Sequence, residues 1–289
     1  MTVLSDVRLA VRGLVRAPLF SAVAILSLAL GIGANTAIFT MLDQLLLRKL
    51  PVKNPQEVVM LYQEYMKRAE PLAEVISRRL TPASISIDNQ TERVSAEMVS
   101  GNFFSMLGVN AAIGRVFNSR EDDQIYMGHP VVVLGYDFWV SRFARDPNVV
   151  GRKILINSYP MTIVGVSEAG FAGLDPARAP QIRVPILMKE AMVPEWTFVR
   201  MSDERTRWVQ VFARLKPGQT IASAQPSLQR LFTDIRQYEM TLPGAKNWSQ
   251  YQRDRFMTGR LTVARADIGY SQLRNDFSKA LMVLMCMVG

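Results

Sequence analysis

The sequence predicts an α+β protein joined to a membrane by a helix near its start. Three observations carry this expectation. Ala17 to Leu42 is a run without a single charged side chain. From Pro51 onward, hydrophobic residues recur with strand-like and helix-like periods in alternation. With 289 residues, 49% of them hydrophobic, the chain has enough material for one span and a folded body.

The first element precedes the uncharged run. Arg8, Arg12 and Arg16 recur every four residues, while Leu4, Val7, Val11 and Leu14 occupy another face at helical spacing. This pattern describes a short basic amphipathic helix lying on a membrane surface, with its arginines toward lipid phosphates. The run itself, as a helix, would be about 39 Å long against a hydrocarbon core of about 30 Å. A secretory signal has a shorter apolar core and a small-residue cleavage site, so the run reads as a retained span over about 17–42.

Within the span, LALGIGANTAIF contains a G-x-G, but Thr36 stands where a dinucleotide fingerprint needs its third glycine, and no Walker string occurs. Ser27, Ala29, Gly31, Gly33 and Ala37 read instead as small residues that let another helix approach. Asn35 and Thr36 offer hydrogen bonds across such a contact. Arg48, Lys49 and Lys53 after the span balance the arginines before it, so charge alone leaves the orientation open.

In the body, EVVMLYQ predicts a strand, EPLAEVISRRL a helix with Leu72, Val75, Ile76 and Leu80 on one face, and ASISID and ERVSAEMVS further strands. Near the far end WVQVFARL predicts a strand and KPG a turn. Ile221, Ala224, Leu228, Leu231 and Ile235 then mark a helix face, and GRLTVARAD supplies the next strand. Two β-α-β units, 51–100 and 207–267, are expected to form one porter-like layer. Residues 101–206 would be inserted between them as a β-rich lobe built from HPVVVLGYDFW, GRKILIN, YPMTIVGVSE and QIRVPILM. The body then occupies 49–272, after a membrane part at 1–48. Residues 273–289, with the apolar ALMVLMCMVG, read as the start of a second span that is cut short.

Chemistry is sparse. The charge of +9 is scattered among acidic residues, with no basic stripe interleaved with aromatics, so no nucleic-acid partner is expected. His129 is the sole histidine and Cys286 the sole cysteine, which leaves neither a catalytic pair nor a soft metal site. His129 in MGHPVVV reads as a structural loop residue, Glu121 to Asp123 as an acidic surface turn, and Asp267 and Asp276 as solvent-facing. No catalytic, cofactor-binding or metal residues are expected, and the protein is not read as an enzyme.

Several longer strings are specific. In order, DVRLAVRGLVRAPLF, LALGIGANTAIF, ERVSAEMVSGNFFSMLGVNAAIGRVF, PVVVLGYDFWVSRFARDPNVVGRKILIN, MTIVGVSEAGFAG and FARLKPG resemble the MacB/FtsX-type permeases of ABC systems. In particular they resemble the MacB-like permeases abundant in Acidobacteria. The resemblance covers nearly the whole chain, although the stretch between VVMLYQ and KRAEPLAEV looks shorter than in relatives. It implies a cytoplasmic N-terminal helix, a first span in the bacterial inner membrane, and a MacB-like periplasmic core that precedes further spans, so that this chain resembles an N-terminal part. It also implies a partner cytoplasmic ABC ATPase, a homodimer, contact with the lipid bilayer and room for a periplasmic partner. The implied activity is mechanotransmission, in which ATP hydrolysis on one side of the membrane moves a domain on the other. The alternative from another class is a membrane-anchored periplasmic binding module without transport activity.

Overall fold

The computed structural model describes residues 12, 14, 16–43, 48–61, 72–88, 90–175, 177–196, 208–271, 279, 280 and 283. Arg8 and nearly all of the predicted second span, with Cys286, lie outside the described residues. The chain divides into two compact units, one of residues 1–48 and 271–289, the other Lys49–Tyr270.

In the first unit, helix α1 runs Pro18–Leu42. Pro18 opens it at a position where a missing N–H costs nothing. Thr36 Oγ1 donates to the Ile32 carbonyl and Thr40 Oγ1 to that of Thr36, both at 2.8 Å, so the two hydroxyls are satisfied without water. Leu19, Phe20, Leu26, Leu30 and Ile32 all stand exposed. Among the described residues, Pro18–Ala37 is the one helical stretch long and apolar enough to cross a membrane, with a mean hydropathy of 1.8.

The second unit is built on ten strands. They are β1 (Val58–Leu61), β2 (Leu72–Ile87), β3 (Gln90–Val99), β4 (Ala111–Gly114), β5 (Val131–Leu134), β6 (Lys153–Ile156), β7 (Tyr159–Ser167), β8 (Ile182–Pro185), β9 (Gln210–Leu215) and β10 (Val263–Arg265). Six of them close on themselves. β2 pairs with β3, β3 with β8, β8 with β5, β5 with β7, β7 with β6, and β6 returns to β2 through Ile85↔Ile156 and Ser86↔Leu155. Side chains alternate across each strand. Ile85, Ala96, Leu134, Ile156, Ile163 and Ile182 therefore face a common interior, which helix α3 (Tyr136–Phe143) completes with Phe138, Trp139 and Phe143.

β2 is long enough to serve two structures. Its first half pairs with β9, which with β1 and β10 extends an open sheet in the order β10-β1-β9-β2. β9 and β10 are both antiparallel to β1 and flank it, so they run parallel to each other. Helix α5 (Ile221–Thr241) lies between them in sequence and begins at a capping box of Thr220 and Ser223. It packs Ala224, Leu228 and Phe232 on Val59, Val75, Val211 and Ala213. Helix α6 (Gln250–Met257) follows it, and the short helix α4 (Lys189–Met192) precedes β9. The other face of the sheet carries a third core, in which Ile76, Val99, Val133 and Phe212 meet Phe103 and Phe104 of helix α2 (Phe103–Leu107) and the Phe171 and Leu174 side chains.

Two expectations are corrected. From Leu72 onward, the stretch EPLAEVISRRL predicted as a helix is the first half of β2. A bulge between Leu72 and Glu74 shifts the register, after which Val75 enters the core under α5 and Ile76 the core on the opposite face. A strand covered on both sides thus imitates helical spacing. Among the described residues no helix joins β1 to β2, while 62–71 lie outside them. In HPVVVLGYDFW the strand ends at Leu134, and α3 starts at Tyr136 after Gly135.

Gly165 in β7 lies against the chain as it leaves β4: a Cβ there would lie 2.2 Å from the Arg115 carbonyl oxygen and 2.6 Å from the Arg115 nitrogen. Both atoms are backbone and have no rotamer to change. Gly165→Ala is expected to destabilise the body by about 1–3 kcal/mol through overpacking, read as a lowered urea midpoint. An unchanged midpoint would show that β4 detaches from β7 at no cost.

Candidate functional site

Three charged side chains meet outside the barrel wall. Glu97 of β3 and Arg183 of β8 are register partners, and Arg78 of β2 lies opposite Val99, two residues along β3. Alternation turns all three away from the barrel interior, where Met98 and Val184 point. Arg78 Nη1 donates to Glu97 Oε1 at 2.8 Å and Arg183 Nε to Glu97 Oε2 at 2.9 Å, with none of the three more than 1% exposed.

One carboxylate facing two guanidiniums leaves a buried excess of positive charge, which is costly in a dry core. Aromatic faces offset part of it. The Arg78 guanidinium lies 5.4 Å from the Phe212 ring, and that of Arg183 lies 4.7 Å from Phe171 and 5.9 Å from both Phe103 and Phe104. Burial pushes the Arg183 pKa down, with Glu97 opposing and Arg78 adding to the effect. Gly173, at φ 97°, covers the cluster with bare backbone, and a Cβ there would come within 2.9 Å of Arg183 Nη2. The cluster has no reacting group to activate. It pins β2, the strand shared by sheet and barrel, to β3 and β8. The sequence reading missed it, although a charge in the middle of an apolar strand, as in SAEMV and QIRVPI, is the signal that marks it.

A second polar knot lies where the chain enters and leaves this unit. The Arg214 guanidinium donates to the Asn54 carbonyl (3.3 Å), Glu57 Oε2 (3.1 Å) and the Met106 carbonyl (2.5 Å), joining the entering segment to β9 and α2. Leu50 N–H donates to the Asp267 carbonyl at 2.9 Å. Asp267 is therefore not solvent-facing as expected: it is 5% exposed, and its carboxylate accepts from Arg265 at 2.6 Å.

The acidic turn is also corrected. Asp122 is buried against Arg115 at 2.6 Å, and that bond raises the Arg115 pKa. Asp123 accepts the Gly101 N–H, so of the three only Glu121 is exposed. His129 is a loop residue whose Nε2 accepts the N–H of Ile125 at 3.0 Å and of Gln124 at 3.4 Å. Among the described residues no group of three or more His, Cys, Asp or Glu side chains could hold a metal.

The predicted membrane-packing residues Ser27, Ala29, Gly31, Gly33, Asn35 and Ala37 all lie exposed on α1, and nothing lies within 4 Å of a Cβ built on Gly31 or Gly33. The helix does not bring them together on one side. Residues two apart differ by about 200° around the axis, so Ser27, Gly31 and Asn35 form one row and Ala29, Gly33 and Ala37 another on nearly the opposite face. Thr36 spends its hydroxyl proton on the Ile32 carbonyl within the helix, so of the neighbouring pair Asn35 and Thr36 the hydroxyl is already used. Arg12 and Arg16 are exposed, and Arg8 is outside the described residues.

Residues 21–231 match the family described as the MacB-like periplasmic core domain. Among curated proteins the chain is similar to the macrolide export ATP-binding/permease protein MacB of Escherichia coli strain K12, 25% identical over 146 residues, 50% of this chain and 21% of that protein. It is also similar to the MacB protein of Salmonella paratyphi A, 27% identical over 144 residues, 48% of this chain and 20% of that one. The chain therefore matches about a fifth of the length of these relatives. Two solved structures share the fold at 12% identity. The periplasmic region of MacB from Actinobacillus actinomycetemcomitans has a TM-score of 0.51, covering 74% of this chain and 90% of that one. A domain of a protein described as a permease from Porphyromonas gingivalis has a TM-score of 0.52, covering 78% and 98%.

The excess charge of the buried cluster makes its members unequal. Glu97→Gln strands two buried guanidiniums and is expected to cost about 3–5 kcal/mol. Arg78→Met removes the surplus cation, leaves the Glu97–Arg183 pair intact, and is expected to cost far less. Urea unfolding of both variants checks the order, and equal losses would defeat the account.

Proposed function

The chain belongs to the family of MacB-like periplasmic core domains of ABC permease-type proteins, and we propose that it is a permease-type membrane subunit working by mechanotransmission. In this reading a separate cytoplasmic ATPase moves α1, and the body follows on the periplasmic side of the inner membrane. The single observation that carries the proposal is the way the body is attached. Its entering and leaving segments are hydrogen-bonded to each other at Leu50 and Asp267, and Arg214 ties the entering segment into the sheet. A displacement applied at that one place reaches the barrel through β2 as a rigid movement, because packed cores deform little.

The proposed organisation is a membrane part at 1–48, with Arg8, Arg12 and Arg16 on the lipid surface, followed by a periplasmic core at 49–272. That core comprises a porter-like layer from 51–100 and 207–267 and a lobe from 101–206. The division of the chain at Lys49 and Tyr270 supports these outer limits. The names of the curated relatives join ATP binding to a permease, which supports an ATPase as partner here. We assign homodimer contacts to α1, and neither nucleotide nor metal binding to the chain itself.

Topology is tested by fusing a reporter active only in the periplasm near residue 150. Activity is expected there, and silence with an active cytoplasmic reporter at the same site would reverse the orientation.

The dimer is tested one helix face at a time, with Gly31→Ile and Gly33→Ile in separate chains and self-association read in a membrane two-hybrid assay. Isoleucine inserts at least as well as glycine, so only packing is altered. One variant is expected to weaken association several-fold, consistent with about 1 kcal/mol of lost contact, while the other leaves it unchanged. No change in either would remove α1 as the dimer contact.

A further inference from the structure

We propose that His129 is a pH-operated latch for the loop 118–129, holding it closed while the imidazole is neutral and releasing it on protonation. The loop joins β4 to β5, and its two halves are held differently. The first half is tied by fixed charges and carbonyls. Asp122 bonds Arg115 and the Asn118 N–H, Asp123 accepts from Gly101, and the Asn118 side-chain oxygen accepts the N–H groups of Arg120 and Glu121.

The second half carries two exposed side chains, Ile125 at 63% and Tyr126 at 45%, and holds Met127 at φ 56°, a left-handed conformation that disfavours a side chain. Its turn is closed by the Gly128 N–H donating to the Ile125 carbonyl at 3.0 Å, by the Gln124 side-chain amide donating to the Ser119 carbonyl at 2.6 Å, and by the histidine. His129 Nε2 lies 3.0 Å from the Ile125 nitrogen and 3.4 Å from that of Gln124, and both backbone groups are donors. Nε2 must therefore present its lone pair, which places the single ring proton on Nδ1.

A protonated imidazole has no acceptor. Its Nε2–H would point at two N–H groups, so the closed turn excludes the second proton and acid favours the open one. The sign is fixed by geometry: closure is complete in alkali and is lost as the pH falls.

The charged groups on the elements packed against this loop are Arg115, Arg120, Glu121, Asp122, Asp123, Lys189 and Glu190. Among the described residues the other ionisable contact of the second half is Tyr126 Oη donating to Glu190 Oε1 at 2.6 Å. The Tyr126 pKa is pushed up to about 12 by burial and by Glu190, while Tyr126 and Lys189 hold the Glu190 carboxyl below its ordinary range. That contact keeps its protonation state where an imidazole titrates. Together with the Met127 N–H donating to the Leu187 carbonyl at 3.1 Å, it anchors the loop while the Gln124 and Ile125 N–H groups are freed.

Two measurements on the full chain in detergent test the latch. Because His129 is the sole histidine, its ring nitrogens give an unambiguous 15N NMR signal, and the neutral ring is expected as the Nδ1–H tautomer. An Nε2–H tautomer would overturn the proposal. Hydrogen exchange, corrected for its intrinsic pH dependence, is then compared at about pH 8 and about pH 5, the interval that brackets an imidazole's titration. Peptides covering 124–128 are expected to lose about tenfold in protection in acid, as for one or two lost hydrogen bonds, while β5 peptides stay constant. In His129→Gln, whose side-chain oxygen accepts but does not titrate, protection is expected to be independent of pH. Constant protection in the native chain, acid loosening that spreads to β5, or the same loosening in His129→Gln would each overturn it.

Discussion

The body depends on one carboxylate. Glu97 uses one oxygen for Arg78 and the other for Arg183, and in doing so fixes β3 between β2 and β8. Register matters more here than in an ordinary sheet, because a slip by one residue would move every barrel-facing side chain to the outer wall. Hydrophobic alternation alone resists such a slip weakly where both faces are buried, since Ile76, Val99 and Val133 on one side are as apolar as Ala83, Ala96 and Leu134 on the other. A charged triad that fits one register removes that ambiguity. Specificity bought with buried charge has a cost in stability, and the rings of Phe171 and Phe212 offset part of it.

The same strand explains how an open sheet and a closed barrel behave as one body. β2 pairs with β9 up to Arg78 and with β3 from Arg78 onward, so the residue at which it passes from sheet to barrel is itself in the triad. Phe212, the ring beneath Arg78, is in β9, two residues before Arg214, which grips the entering segment. A continuous chain of contacts therefore runs from Asn54 and Glu57 through β9 to the barrel wall. Each link joins two elements, Arg214 the entering segment to β9 and Arg78 β2 to β3.

Much of this was legible in the sequence, and the misses share a cause. The span, most of the strands and α5 announce themselves by local periodicity, and their residues lie close to where the spacing puts them. The helix expected over 70–80 failed because Val75 and Ile76 serve two different cores on either side of a bulged strand. Barrel closure rests on Ile85↔Ile156, a pairing across half the body that no local window contains. Glu97 and Arg183, read singly, are ordinary charges, and only the fold shows that they face each other without water. Asp122 and Asp267 misled in the same way, because acidic residues in turns are usually wet and these two have an arginine within reach.

The two glycines of the span carry a further step. Read as a string, G-x-G suggests one feature, but on a helix it is two, since Gly31 and Gly33 open opposite sides of α1. Asn35 continues the Gly31 row and adds a donor in an apolar setting, where an unmet amide is expensive. The Ala29, Gly33 and Ala37 row has no polar member and depends on close packing alone.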